Sequence, residues 1–228
     1  MRQIKTMFYL IFSIICSVSV GIIFKISRRY DTSMRQVVAW NYIIALVLCY
    51  LFYSPDISVL KKSAPWEIYI TLALLMPSIF ILLAASIKHM GIVKTDAAQR
   101  LSLFIPILAS WFLFGENLHI LKFVGLGIGF PAILLIFSRR EQTTENKWQY
   151  PALVLLGFGI VDILFKHIAL VKDVPYSTSL FVVFCGALAV AVGMVLFEII
   201  VKHTRLNIIS FAYGMLVGIF NFGNILFY

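Results

Sequence analysis

The sequence predicts an all-α polytopic membrane protein with about eight transmembrane helices. Three observations carry that expectation. Apolar residues make up 61% of the 228 residues, charged residues 13%, and mean hydropathy is +0.97; a soluble domain runs nearer about 45–50% apolar and about 25% charged. The apolar residues fall into eight runs, each close to the roughly 17–25 residues a helical span needs. No alternating ten-residue pattern recurs, which excludes the strands of a membrane barrel. A chain of this kind cannot cover a soluble surface, so lipid is its solvent. Disordered chains, nucleic-acid modules and ordinary cytosolic enzymes are excluded on the same grounds.

The runs cover residues 7–24, 37–53, 66–87, 97–114, 121–137, 150–170, 179–201 and 208–228. The first lacks a small-residue cleavage site followed by a polar mature region, so it reads as a retained helix. Pro65 and Pro151 suit helix starts, and Trp66, Trp148 and Tyr150 suit the headgroup layer at span ends. Thr95-Asp96 is read as a cap before the fourth run. Pro77, Pro106 and Pro131 fall inside runs three, four and five. Each removes a backbone donor and invites a break, either as kinked packing or as a cavity lining. The longest polar connection is residues 138–149, SRREQTTENKWQ.

The net charge of +9 sits mainly between the apolar runs, where membrane proteins keep topology signals and headgroup contacts. No nucleic-acid partner is implied. Cys16, Cys49 and Cys185 each lie within an apolar run without metal or redox spacing, and read as free buried thiols. His89, His119, His167 and His203 are scattered, so no metal site, prosthetic group or cofactor is expected.

An internal repeat organises the chain. Val20-Gly21-Ile22-Ile23-Phe24-Lys25 is matched by Val161-Asp162-Ile163-Leu164-Phe165-Lys166, 141 residues later. The same offset lays run two over run seven and run three over run eight. Five helices separate the copies, an odd number, so the copies cross the membrane in opposite senses. Inverted repeats of this kind are typical of secondary transporters. The expected organisation is a five-helix repeat over residues 1–138, a polar linker over 139–149, and a partial second repeat over 150–228.

In helix order the chain resembles the drug/metabolite transporter superfamily, in its ten-helix EamA-type branch. The carrying segments are Leu101-Ser102-Leu103-Phe104-Ile105-Pro106 with Phe114-Gly115-Glu116-Asn117-Leu118, then Leu126 to Phe137, then Gly218-Ile219-Phe220-Asn221-Phe222-Gly223-Asn224. The resemblance implies two five-helix halves around a central substrate site, alternating access, and no prosthetic group. Two departures stand out. The second half stops about two helices early, so a truncated ten-helix protein is expected. Ser17, with Phe158 as its repeat mate, occupies the helix-one position where the four-helix multidrug relatives carry a carboxylate, so export of cations coupled through that carboxylate is not supported.

Ionisable groups near a helix centre cost about 2.5–3.5 kcal/mol on insertion scales, so they are candidates for the substrate path. Asp162 and Lys166 share a helical face four apart, in the order that favours an ion pair. Lys25, the repeat mate of Lys166, either snorkels to the headgroups or joins it in favouring anionic or zwitterionic solutes. Gln99 and Arg100 precede Pro106; Arg100 either anchors at the interface or captures a carboxylate or phosphate. Asn221 and Asn224, three apart among glycines, and Asn41 in run two complete the candidate substrate path. Gly125, Gly127 and Gly129 read as helix packing, including packing within a homodimer, and not as a dinucleotide loop. Glu116 reads as a helix-end residue in a turn.

The expected function is a secondary carrier of a small metabolite or drug-like solute in the bacterial inner membrane, with the lipid bilayer and the solute as partners. A membrane-embedded enzyme acting on lipid or isoprenoid substrates wants clustered acids or histidines near one interface, which the sequence does not supply. A non-transporting helical scaffold is the third reading. The resemblance implies a cytoplasmic N-terminus, whereas six basic residues on that side against twelve on the other favour the opposite orientation.

Overall fold

A computed structural model describes residues 2–60, 64–112, 120–138, 147–171 and 173–227. The expected turn at Glu116, His119, and most of the 138–149 connection lie outside those residues. The fold is all-helical as predicted: α1 Arg2–Ser27, α2 Met34–Tyr53, a 3-10 turn Ile57–Val59, α3 Trp66–Ser102, α4 Phe104–Phe112, α5 Ile120–Ser138, α6 Gln149–Leu170, α7 Tyr176–Lys202 and α8 Ile208–Phe227. Large apolar side chains lie exposed along these helices, among them Leu51, Phe112, Leu135 and Ile200. That is the surface of a protein whose solvent is lipid, and the chain is an integral multi-pass membrane protein.

Among the described residues the eight runs correspond to helical segments, with one boundary between the third and fourth runs and a second inside the fourth. The third and fourth runs form one apolar stretch, Trp66–Phe112. Within it the helix deviates at Gly91, where φ is 81°, a left-handed value that favours glycine. The expected boundary between residues 87 and 97 falls at Gly91, where the chain kinks and two helical segments meet. Thr95 donates its hydroxyl to the Gly91 carbonyl at 2.7 Å, and Asp96 pairs with Arg100 one turn on at 2.8 Å. Thr95-Asp96 lies just inside the segment that follows the kink, where Thr95 bonds back to the Gly91 carbonyl instead of capping the helix. The second boundary falls at Leu103. Pro106, third residue of α4, has no N–H for the carbonyl of Ser102, so the helix restarts there. Helices α3 and α5 run through Pro77 and Pro131 without interruption.

By internal contacts the chain forms two compact units. The first holds residues 1–81 and 171–228, the second 82–170. The first thus draws α1, α2 and the start of α3 from one expected copy, and α7 and α8 from the other.

Within the first unit, α2 and α8 lie side by side in parallel. Val37 and Trp40 face Gly214, Asn41 and Ile44 face Gly218, and the Phe52 ring meets Phe222 at a tilt. A Cβ at Gly214 would collide with Trp40 Cβ and stand 2.9 Å from the Val37 carbonyl oxygen. Only glycine permits that approach. Helices α2 and α7 run antiparallel, from Arg35 beside Glu198 to Tyr50 beside Phe181. The start of α3 runs parallel to α7, with Tyr69 at Ser179 and Ala73 at Gly186. Helix α1 runs antiparallel to α8, with Tyr30 near Tyr213 and Phe12 near Phe227. These senses are those of consecutive helices that cross a membrane in alternation. Phe24, Tyr42, Phe80 and Phe184 form the aromatic core.

In the second unit, Ile105 of α4 packs so closely on Gly159 of α6 that a Cβ there would stand 2.9 Å from the Ile105 Cβ. Phe104 meets Phe130 of α5 edge-on, and His89 stacks on Tyr150. Ser86 and Thr95 hydroxyls bond across the Gly91 deviation at 2.8 Å.

Candidate functional site

The first unit concentrates its buried polar groups along α2, at three levels. At the start of α2, Ser33 donates its backbone N–H to the Ser210 hydroxyl at 3.0 Å and its own hydroxyl to Glu198 Oε2 at 2.8 Å. Glu198 lies in the last two turns of α7. A carboxylate there opposes the negative end of the helix dipole, so it needs compensation. Arg35 supplies it, with Nη1 3.4 Å from Glu198 Oε1. Gln36, 2% exposed, uses both ends of its amide. Its Nε2 donates to the Arg205 carbonyl at 2.9 Å, and its Oε1 accepts the Asn207 N–H at 2.9 Å. The Asn207 side chain donates to the Asp31 carbonyl. The α1–α2 loop and the α7–α8 loop are thereby latched together. Beside this latch, burial pulls the Arg28 guanidinium below its ordinary pKa.

In the middle, Asn221 Nδ2 donates to Asn41 Oδ1 at 3.1 Å. Asn41 and its neighbour Tyr42 are fully buried. Asn41 Nδ2 and the Tyr42 hydroxyl have no hydrogen-bond partner among the described residues, a costly arrangement that native proteins rarely keep without a use for it. Asn224 takes the Ser13 hydroxyl at 2.7 Å, tying α8 to α1.

At the far end of α2, the contacts are lighter. Thr178 at the start of α7 donates to the Asp56 carbonyl at 3.3 Å, and the Tyr69 and Ser179 hydroxyls bond at 2.8 Å. The Asp56 carboxylate accepts the Ser58 hydroxyl and N–H. Those bonds hold it below the usual carboxylate pKa.

The sequence-predicted path residues divide between the units. Lys25, Asn41, Asn221 and Asn224 lie in the first; Gln99, Arg100, Asp162 and Lys166 lie in the second. Among them, Asn41 and Asn221 are joined by a hydrogen bond. Lys25 is exposed in the last turn of α1. Arg100 is taken up by Asp96. Asp162 and Lys166 are half-buried on α6. The groups missed by sequence reasoning are Ser33, Arg35, Gln36 and Glu198. Their partners lie 163–177 residues away, beyond any local spacing. One signal was available: Glu198 is an acid near the C-terminal end of an apolar run. Among the described residues no group of three His, Cys, Asp or Glu side chains is placed to hold a metal.

Comparison with known proteins gives two findings. The sequence pattern of the EamA-like transporter family matches residues 4–138. An uncharacterized protein of Haemophilus influenzae is 37% identical over 229 residues, covering 96% of this chain and 77% of the relative.

Proposed function

Since this chain belongs to the EamA-like transporter family, we propose that it is a secondary carrier that moves a small anionic or zwitterionic metabolite, or a drug-like solute, by alternating access. It works in the bacterial inner membrane and is a carrier, not a membrane enzyme. One observation carries the mechanism: the antiparallel helices α2 and α7 are latched at both ends by polar contacts between helix ends and the adjoining loops, and between the latches Tyr42 packs on Phe184 beside the Asn41–Asn221 pair.

The repeat gives those latches a common origin. An offset of 141 residues maps α2 onto α7 and the start of α3 onto α8. It therefore maps the α1–α2 loop onto the α6–α7 loop and the α7–α8 loop onto the α2–α3 loop, so one end of the α2–α7 pair corresponds to the other. In a carrier built from inverted repeats, such equivalent contacts break in turn as access alternates. The unpartnered Asn41 amide and Tyr42 hydroxyl sit between the latches, where polar groups serve a passing solute.

The test is uptake of a labelled panel of small anionic, zwitterionic and cationic solutes into proteoliposomes. Saturable, gradient-driven movement of an anion or zwitterion is the expected result. A panel in which no solute moves, or in which only cations move, overturns this reading.

A further inference from the structure

A groove of about 550 Å³ opens on the first unit, lined by Arg35, Ser78, Val190, Gly193, Met194 and Phe197 among others. Its volume is in the range of small-molecule sites, about 300–1,000 Å³. Positions 190, 193, 194 and 197 form one stripe of α7, at helical spacing. The stripe spans about two turns, or about 10 Å.

The chemistry of the groove is graded along its length. Arg35 stands at one end. Its Nη1 is buried beside Glu198 but makes no hydrogen bond, so the guanidinium keeps donors for another carboxylate. Away from it the wall is Phe197, Met194 and Val190. The Ser78 hydroxyl is already donated to the Leu74 carbonyl. At Gly193 a Cβ would meet nothing within 4 Å, so the space above α7 is open there.

We propose that this groove binds a small amphipathic carboxylate, with its head on Arg35 and its apolar body along Val190, Gly193, Met194 and Phe197. Glu198 holds the guanidinium in place until the solute's carboxylate takes it over by bidentate pairing. The length selects a compact solute: an acyl chain reaching the bilayer midplane, about 15 Å, overruns a 10 Å stripe. The proposal rests on the carrier reading for its biological sense, but the binding site stands on its own geometry.

The test measures binding of 3-phenylpropionate and of 3-phenylpropylamine to the full chain in phosphatidylcholine nanodiscs, by calorimetry. Saturable binding of the acid and none of the amine is expected. Arg35→Gln and Gly193→Leu should each weaken binding at least tenfold; the leucine occupies open space and leaves the Arg35–Glu198 pair intact. Glu198→Gln should tighten it several-fold by releasing the guanidinium. Equal binding of the amine, no binding of the acid, or binding unchanged in both Arg35→Gln and Gly193→Leu overturns the proposal. Loss of acid binding when phosphatidylglycerol replaces phosphatidylcholine would assign Arg35 to a lipid headgroup and overturn it as well. Binding that depends on Arg35 and Gly193, in a protein that transports nothing, sinks the carrier reading and leaves the groove standing. Transport that is indifferent to both variants sinks the groove and leaves the carrier.

Discussion

The two ends of the α2–α7 pair are built from different chemistry. At the α2 start, a carboxylate, a guanidinium and a doubly used amide tie α2 and the loop before it to α7 and the loop after it. At the α2 end, hydroxyl and carbonyl groups do the joining. Hydrogen bonds to ionised groups are roughly twice as strong as neutral ones, and a buried amide whose partners are removed leaves orphans on both sides. The same helix pair is therefore held more firmly at one end than at the other. In an alternating carrier that inequality sets which end parts more readily at rest.

The comparison breaks first at Gln36. Gln36→Ala removes both bonds and leaves the Asn207 N–H and the Arg205 carbonyl without partners. It should destabilise the protein by about 2–3 kcal/mol, read as a lowered thermal midpoint in detergent. No change would mean the latch contributes nothing. Next is Glu198→Gln, which keeps an acceptor for Ser33 but removes the charge facing Arg35. Arg35 is one-third exposed, so screening limits the loss to about 1 kcal/mol. At the lighter end, Tyr69→Phe leaves the buried Ser179 hydroxyl unmatched and should cost about 1 kcal/mol. If it proves more damaging than Gln36→Ala, the order of the two ends is reversed.

The smallest effect is acid sensitivity at Asp56. Its folded pKa lies below its ordinary value. Its contribution is therefore fully present above the unfolded value of about 3.9 and is lost as pH falls through the lowered folded value. Asp56→Asn should flatten the decline in thermal midpoint below about pH 4. An identical decline in the variant removes Asp56 from the lighter end.

The helices were legible because apolar runs of span length have few other uses in a chain this hydrophobic. The division of α3 from α4 was not. Lys88, His89, Lys94 and Asp96 look like a loop by composition; the chain does kink there at Gly91, but Asp96 finds Arg100 one turn away and the chain is helical again within a few residues. Asn41 and Asn221 were picked out separately as polar residues in apolar runs, and each proved to be the other's partner. The heavier latch escaped because Ser33, Gln36 and Glu198 acquire meaning only from partners on distant helices. A polar residue at a span end has an ordinary use at the headgroups, so its sequence position alone does not set it apart.

The most direct test of reciprocal opening is double electron–electron resonance on two spin-labelled pairs in proteoliposomes. One pair, at Arg29 and Leu206, reports the heavier latch; the other, at Ile57 and Asp173, reports the lighter. All four positions are exposed. The account predicts two distances at each end, with a transported solute shifting their weights in opposite directions. A single distance at both ends, unchanged while solute is moving, would contradict it.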